Sequence, residues 1–446
     1  MTDASASSSV RPGRPPAVAA RSPTRLADAQ RALVGLWAFW QAGRAQWRDP
    51  GRLREWQARR LRSLVRHAYE TVPFYRRLYD QAGVVPAAIR SLDDLECLPV
   101  ITKAQLQREV ESDLLSRSRS KESLVTALTS GSTGRPFRTY RDAWLERWRA
   151  GYLLRALATA GYRLGDRLMI VVERPERPGT GWTRWRKLTF HDRPDYVLAE
   201  INRLRPSIVY GYVSALRQVV RLAREQNLPV HRPRAVVTVS ETLDPVTRQQ
   251  LADGFGAPVF DIYGSIEMGV IAWECEAHDG YHVAEDSVLV ETLPADGGGE
   301  RLVLTNLHNE AMPLIRYDQS DLVKVGTGGI CPCGRRFRRL EAIQGRVMDA
   351  ILRPDGSHIP PFAVTAAIRE IPGVRRFQIV QERADRLTVR IEGARPLGDD
   401  LSRQLEHELR PVLGPAIGIG IEPVPTLEPP PGVKFRLIES RIPRAA

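Results

Sequence analysis

From about residue 125 onward, short β-rich runs alternate with helical stretches, and this alternation leaves few folds open to the chain. Leu168–Val172, Ser207–Tyr210, Ala235–Val239 and Val259–Ile262 are the β-rich runs, with Pro194–Leu204 and Ala215–Gln226 among the helical stretches between them. Apolar strands separated by covering helices argue for a parallel sheet in an α/β domain. From Ser287 to Tyr317 strand-like runs follow one another without helices, which predicts a smaller β-rich subdomain. From about Arg346 the pattern reads strand–helix–strand–strand–helix–strand, with Phe362–Ile371 and Asp399–Leu413 as the helices. About 100 residues suffice for a small α+β domain there. At 446 residues the chain exceeds what one hydrophobic core usually serves.

The leading segment reads differently. Residues 1–25 are rich in Ser, Pro, Ala and Arg, with no apolar segment of signal-peptide type, and predict a disordered tail. Leu26–Trp47 and Leu53–Gln81 then read as helices interrupted by Asp49-Pro50-Gly51. In the second, Trp56, Leu61, Leu64 and Val65 share one helical face. The Trp37/Phe39/Trp40/Trp47 cluster is expected to pack on the body of the protein, a peripheral membrane contact being the alternative. Ala32–Trp40, the longest apolar run nearby, is far short of the roughly 20 residues that span a bilayer. Residues 1–66 hold thirteen Arg, no Lys and four acids, so most of the net charge of +13 sits here and the remainder is nearly neutral. A basic surface spread over the whole protein is excluded, and no nucleic-acid partner is expected. Four cysteines exclude a disulfide scaffold, and a cytoplasmic location is expected.

Thr129-Ser130-Gly131-Ser132-Thr133-Gly134-Arg135-Pro136 follows the apolar run Leu124–Leu128. Its glycines let backbone N–H groups turn toward a phosphate, and its hydroxyls add donors without bulk. No Gly-Lys-Ser/Thr ends it, so it is not a Walker loop. Alone, such a turn is usually only a loop. Further pieces change the weighting: Tyr263-Gly264-Ser265-Ile266-Glu267 after the strand Val259–Ile262, then Arg316-Tyr317-Asp318-Gln319-Ser320-Asp321, Gly345-Arg346-Val347-Met348-Asp349 and Lys434-Phe435-Arg436. In this order and spacing they resemble the adenylate-forming superfamily of acyl-CoA ligases. Val72-Pro73-Phe74-Tyr75, Leu98-Pro99, Thr102-Lys103 and Gly211-Tyr212 narrow the resemblance to the phenylacetate–coenzyme A ligase family, especially its capsule-biosynthesis-type members. The resemblance runs from about residue 50 to 440 and implies an adenylation domain over 26–345 and a mobile C-terminal lid domain over 346–446.

The resemblance also implies roles. Joining a carboxylate to the α-phosphate of ATP brings two anions together, so a site must neutralise charge and align the attack. Ser130, Gly131, Ser132, Thr133 and Gly134 would hold the β- and γ-phosphates, and Tyr263 with Gly264 would lie against the adenine. Glu267 would bind Mg²⁺, Asp321 the ribose hydroxyls, and Arg346 the same ribose or phosphate region. Lys434, one of five lysines beside sixty arginines, would stabilise the charge developing between carboxylate and α-phosphate. Taken singly, Asp321 is a turn residue and Glu267 and Lys434 are solvated charges; jointly and in order they are not. Three positions depart from the family pattern. Ser320 stands where the ribose motif usually has Gly, Met348 replaces an acid two positions after the Arg, and Val433 separates Gly432 from Lys434.

Cys275 with His278 and His282, then Cys331-Pro332-Cys333-Gly334, form two tight clusters of soft and borderline ligands, the set a structural Zn²⁺ prefers. Of the histidines His282 is favoured, because Gly280-Tyr281-His282 matches a Gly-x-His pattern in metal-carrying relatives the chain resembles. Cys97 has no partner in sequence and is assigned to the core.

Tyr212, Ser240 and Glu241 lie in the segments that wall the acyl pocket in the superfamily, and Tyr212 with Met268 favours an aryl or small apolar carboxylic acid. Coenzyme A is the expected acceptor, with a carrier-protein thiol, an amine or a sugar hydroxyl as alternatives. An Arg-driven nucleic-acid binder is the reading from another class; residues 1–66 carry no aromatic-interleaved RNA-binding pattern that would support it.

Overall fold

The computed structural model describes residues 25–128, 137–172, 184–295, 299–326, 328–346, 350–359, 361–369, 371, 374, 376–392, 399–425, 427 and 437–442. The expected tail, the phosphate loop with Ser130, Gly131, Ser132, Thr133 and Gly134, and Met348, Val433 and Lys434 lie outside them.

The chain opens with α1 (Arg25–Ala45), α2 (Pro50–Thr71) and α3 (Pro73–Ala82), then the short α4 (Lys103–Arg108) and α5 (Glu111–Leu114). Asp49-Pro50-Gly51 marks the expected break between α1 and α2 and also starts the second helix. The Asp49 carboxylate accepts a hydrogen bond from Arg52 N at 3.1 Å, and Pro50 occupies the first helical turn, where its missing N–H costs nothing. The helix expected over Leu53–Gln81 is instead two, because Pro73 forces Val72 out of the helical region (φ −113°, ψ 111°). On α2, Leu61, Leu64, Val65 and Ala68 are buried, as the periodicity predicts.

A hairpin, β1 (Val125–Leu128) with β2 (Arg138–Arg141), frames the phosphate-loop segment and leads into α6 (Ala143–Thr159). The α/β part follows as β3 (Leu168–Val172), β4 (Trp185–Thr189), α7 (Pro194–Leu204), β5 (Ile208–Tyr212), α8 (Val213–Glu225), β6 (Ala235–Val239), α9 (Pro245–Phe255) and β7 (Val259–Ser265). Then come β8 (Gly269–Glu274), β9 (Tyr281–Val283), β10 (Val288–Pro294), β11 (Glu300–Asn306), β12 (Tyr317–Val325) and β13 (Arg339–Arg346). All but the hairpin join one sheet of eleven strands in the order β10-β11-β12-β13-β9-β8-β7-β6-β5-β3-β4. Strands β7, β6, β5, β3 and β4 run parallel, and β8 to β13 extend the sheet in antiparallel pairs. The β-rich stretch is thus the continuation of the parallel sheet, hydrogen-bonded to it through β7 and β8, and not a sheet of its own.

Helix α1 lies along α6, closely enough that a Cβ on Gly151 would sit 2.8 Å from the Ala38 backbone. The buried face of α1 is Ala38, Ala42 and Ala45. The tryptophan stripe does not pack inward as expected: Trp37, Trp40 and Trp47 remain 49%, 53% and 48% exposed. Small side chains make the close crossing, while Trp37 meets Trp148 of α6 only edge-on and Trp47 lies under Arg335. Arg155 of α6 holds this joint. It is buried, donates to the Asp286 carboxylate at 2.8 Å and to Ala42 O at 3.1 Å, and stacks on Trp273. Cys97, expected in the core, is exposed.

The C-terminal segment has the hairpin β14 (Ile351–Leu352) and β15 (His358–Ile359), α10 (Pro361–Arg369), β16 (Arg376–Arg383), β17 (Arg386–Glu392), α11 (Asp399–Leu413), β18 (Gly418–Val424) and β19 (Ile438–Ser440). Its sheet runs β18-β17-β16-β19 around its own core of Val364, Ile368, Ile379, Val389, Leu405 and Leu409. The order is the expected strand–helix–strand–strand–helix–strand with one strand more at each end, since β14 and β15 both precede α10 and β18 and β19 both follow α11. Among the described residues no helix is long and apolar enough to cross a membrane.

Candidate active site and metal centre

The end of β7 and the start of β12 bring the expected nucleotide residues together. Tyr317, Gln319 and Asp321 of β12 face the same corner, although the positive φ of Ser320 interrupts the strand's alternation between the last two. Each meets a residue from the β7–β8 corner. Asp321 accepts a hydrogen bond from the Tyr263 hydroxyl, Ser265 Oγ lies 3.4 Å from Gln319 Oε1, and Tyr317 OH lies 3.5 Å from Glu267 Oε1. Glu267 and Asp321 are both buried. The corner is tight. A Cβ on Gly264 would sit 2.5 Å from the Gly269 carbonyl, and Ser265 Oγ accepts from Met268 N at 3.1 Å.

Arg316 fixes β12 from below, paired with Glu291 at 2.8 Å and donating to Leu98 O at 2.5 Å. Ile101 completes the anchor by bridging to Tyr317, which explains why the Leu98-Pro99 and Thr102-Lys103 pieces travel with this motif. Ser320, the departure from glycine, has φ 57°, the left-handed region a glycine occupies at no cost. The Asp318 carboxylate accepts from Ser320 N at 2.7 Å and holds it there. Arg346 closes β13 opposite Asp321, its cross-strand partner.

Tyr212 ends β5, with its ring stacked on Phe190 at 5.5 Å. Ser240 follows β6 with φ 70° and is exposed. Glu241 is engaged at the start of α8, its carboxylate accepting from Ser214 N at 2.6 Å and Ser214 Oγ at 2.8 Å. Unassigned from sequence were Tyr317 and Gln319, although their spacing along β12 marks them as Asp321's neighbours. Also unassigned was Asp261, two positions before Tyr263. Burial raises its pKa to about 7, while Thr238 Oγ1 at 2.5 Å and Tyr281 OH at 3.0 Å donate to it.

A second constellation lies between β8, β9 and the segment before β13. The ligand atoms of Cys275, His282, Cys331 and Cys333 all fall within 4.8 Å of one another. Cys275 Sγ lies 3.6 Å from Cys331 Sγ, and Cys333 Sγ 3.3 Å from His282 Nε2. A tetrahedral zinc with Zn–S near 2.3 Å and Zn–N near 2.0 Å needs edges of about 3.5–3.8 Å, so the set fits that ion. His282 Nδ1 donates to Phe337 O at 3.2 Å, which leaves Nε2 as the free lone pair. Burial lowers the His282 pKa to about 4, so the ring is neutral as a ligand must be. His278 lies apart, its ring tilted against Phe260 at 4.7 Å and its Nδ1 3.9 Å from Glu274.

The phenylacetate–coenzyme A ligase of Thermus thermophilus is 30% identical over 394 residues, spanning 79% of this chain and 84% of that enzyme. The chain belongs to the phenylacetate–coenzyme A ligase family. The phenylacetate–coenzyme A ligase of Aromatoleum evansii, 29% identical over 397 residues, covers 81% of this family member and 88% of its own length. Residues 351–441 match the CapK C-terminal domain. The fold is that of 2-hydroxyisobutyryl-CoA ligase in its postadenylation state, with a TM-score of 0.76 at 23% identity over 89% of this chain and 92% of that one. Membership makes the chain an adenylate-forming acid–thiol ligase, and the Tyr263–Asp321 corner sits where its motifs converge.

Proposed function

We propose that this ligase activates an aryl or small apolar carboxylic acid with ATP and passes the acyl group to coenzyme A. The observation that carries the reading is the joining of Tyr263, Glu267 and Asp321 across β7 and β12 in a chain of this family. In the first half-reaction a carboxylate oxygen attacks the α-phosphorus, the bond to the bridging oxygen breaks, and pyrophosphate leaves. In the second, the coenzyme A sulfur attacks the acyl carbonyl and AMP leaves with the electron pair.

Asp321 would hold the ribose hydroxyls, with Tyr263 donating to it and presenting its ring to the adenine. Glu267 would carry Mg²⁺, which neutralises phosphate charge; its carboxylate, near Tyr317 OH, is the hard oxygen ligand such a cation takes. Ser130 to Gly134, Lys434 and Arg346 keep the roles the family resemblance implies. Cys275, His282, Cys331 and Cys333 would hold a structural zinc, since all four positions are filled by protein and none is left for substrate. We place the reaction in the cytoplasm, where ATP and coenzyme A are found.

ATP–pyrophosphate exchange across a panel of aryl and short aliphatic acids tests the first half. Acyl-CoA formation without any added carrier protein, amine or sugar tests the second. Exchange with no acid in the panel, or exchange without thioester, would each sink the corresponding half.

A further inference from the structure

The tryptophans that stay off the core gather around a hollow that the adenylation reading does not use. Between α1, α2 and α6 lies a cleft of about 290 Å³, lined by Trp37, Trp56, Trp144, Trp148, Tyr152 and His308. Trp148 stacks on His308 with centroids 5.7 Å apart and planes 13° apart. Trp37 meets Trp148 edge-on at 5.2 Å, Trp144 lies 5.3 Å from Trp148, and Trp56 lies 5.9 Å from His308. Trp37 and Trp144, although each touches Trp148, remain 49% and 42% exposed.

The walls also carry polar atoms that nothing satisfies. Trp148 Nε1, Arg60 Nε and His308 Nδ1 are buried and lack a hydrogen-bond partner among the described residues. His308 Nε2 lies 2.8 Å from the Asp286 carbonyl, so Nε2 carries the proton and Nδ1 is a bare acceptor. The Asp286 carboxylate is already neutralised by Arg155. Arg48 and Arg60 are the remaining charges on the lining; Arg60 Nη2 also donates to Leu307 O at 3.0 Å and lies 3.7 Å from Glu310. Flat aromatic walls select a ring, and two guanidinium groups select an anion over a cation.

We propose that this cleft binds a planar aromatic carboxylate, its ring between Trp144 and Trp37 and its carboxylate on Arg48 and Arg60. The site is separate from the adenylation centre. Helix α6 turns Arg149 toward Gly269 of the β7–β8 corner and presents Trp144, Trp148 and Tyr152 to the cleft, so one helix stands between the two. The inference stands on the cleft alone and does not depend on which acid the ligase activates.

Benzoate titrated into the full-length protein, read by indole emission, is the test, with cyclohexanecarboxylate as the non-planar control. Saturable quenching by benzoate is expected, weakened about tenfold or more in both Trp144→Ala and Arg48→Ala, a loss near 1.4 kcal/mol. Trp144→Phe, which keeps a ring, is expected to restore most of it. ATP–pyrophosphate exchange in these variants should keep its KM for the activated acid. Quenching that both alanine variants leave unchanged, equal response to cyclohexanecarboxylate, or no saturable change would overturn the proposal.

Discussion

At the residue scale, the Tyr263–Asp321 hydrogen bond preorganises the carboxylate expected on the ribose. Tyr263→Phe removes the donor and leaves the ring, so KM for ATP should rise up to about tenfold with kcat less affected. An unchanged KM would show that Asp321 needs no positioning. Asp261 gives a pH signature. Its folded pKa, about 7, lies above the unfolded value, so the folded state holds its proton while the unfolded chain releases it. That contribution to stability is full at low pH, declines as pH rises from about 4 to 7, and is absent above. Asp261→Asn cannot ionise, so its Tm relative to the parent should be higher at pH 8 than at pH 4.5; thermal melts at the two values decide it.

At the element scale, the loop bearing Cys331 and Cys333 does more than complete a ligand set. Arg335 donates to Gln46 Oε1 at 3.0 Å and stacks over Trp47, and Arg336 N donates to Gln46 O at 2.9 Å. The candidate zinc loop therefore grips the last turn of α1. Stripping the metal with a strong chelator should expose the α1–α2 junction to protease and shift Trp47 emission, while Cys331→Ser should lower stability by several kcal/mol. Metal analysis finding no zinc in the purified protein would remove this prediction. These contacts were not legible in the sequence, because Gln46 and Arg335 are separated by most of the chain and carry no motif. What could be read was periodic or local: the α/β alternation, the C-terminal strand–helix order and the Cys/His spacing. The tryptophan stripe misled because periodicity does not report depth: the three alanines make the close crossing with α6, and Trp37 reaches only its edge. The break at Asp49-Pro50-Gly51 was legible, because residues that end a helix in its interior also cap one at its start.

At the scale of the whole molecule, the eleven-stranded sheet and the four-stranded C-terminal sheet have separate cores, and the chemistry proposed needs residues from both. Lys434→Ala should reduce ATP–pyrophosphate exchange by about 10²–10³ if that ammonium meets the developing charge. Exchange at the parental rate would move the role to another cation. The family was legible because its motifs keep their order along the sequence. The proposed acyl pocket was not, because Tyr212 ends β5 while Ser240 and Glu241 follow β6, and no spacing reveals how the two connections pack. One feature of the sheet bears on how this protein can be altered. Asp321 and Arg346 are partners on the final rung of β12 and β13, and the C-terminal module begins just beyond. Adding or removing one residue in that ladder would send every following side chain to the opposite face. Sequence drift in length at this point would therefore separate the nucleotide residue from its neighbour while leaving both domains folded. Point substitutions are the changes this junction can absorb; insertions and deletions belong in the loops.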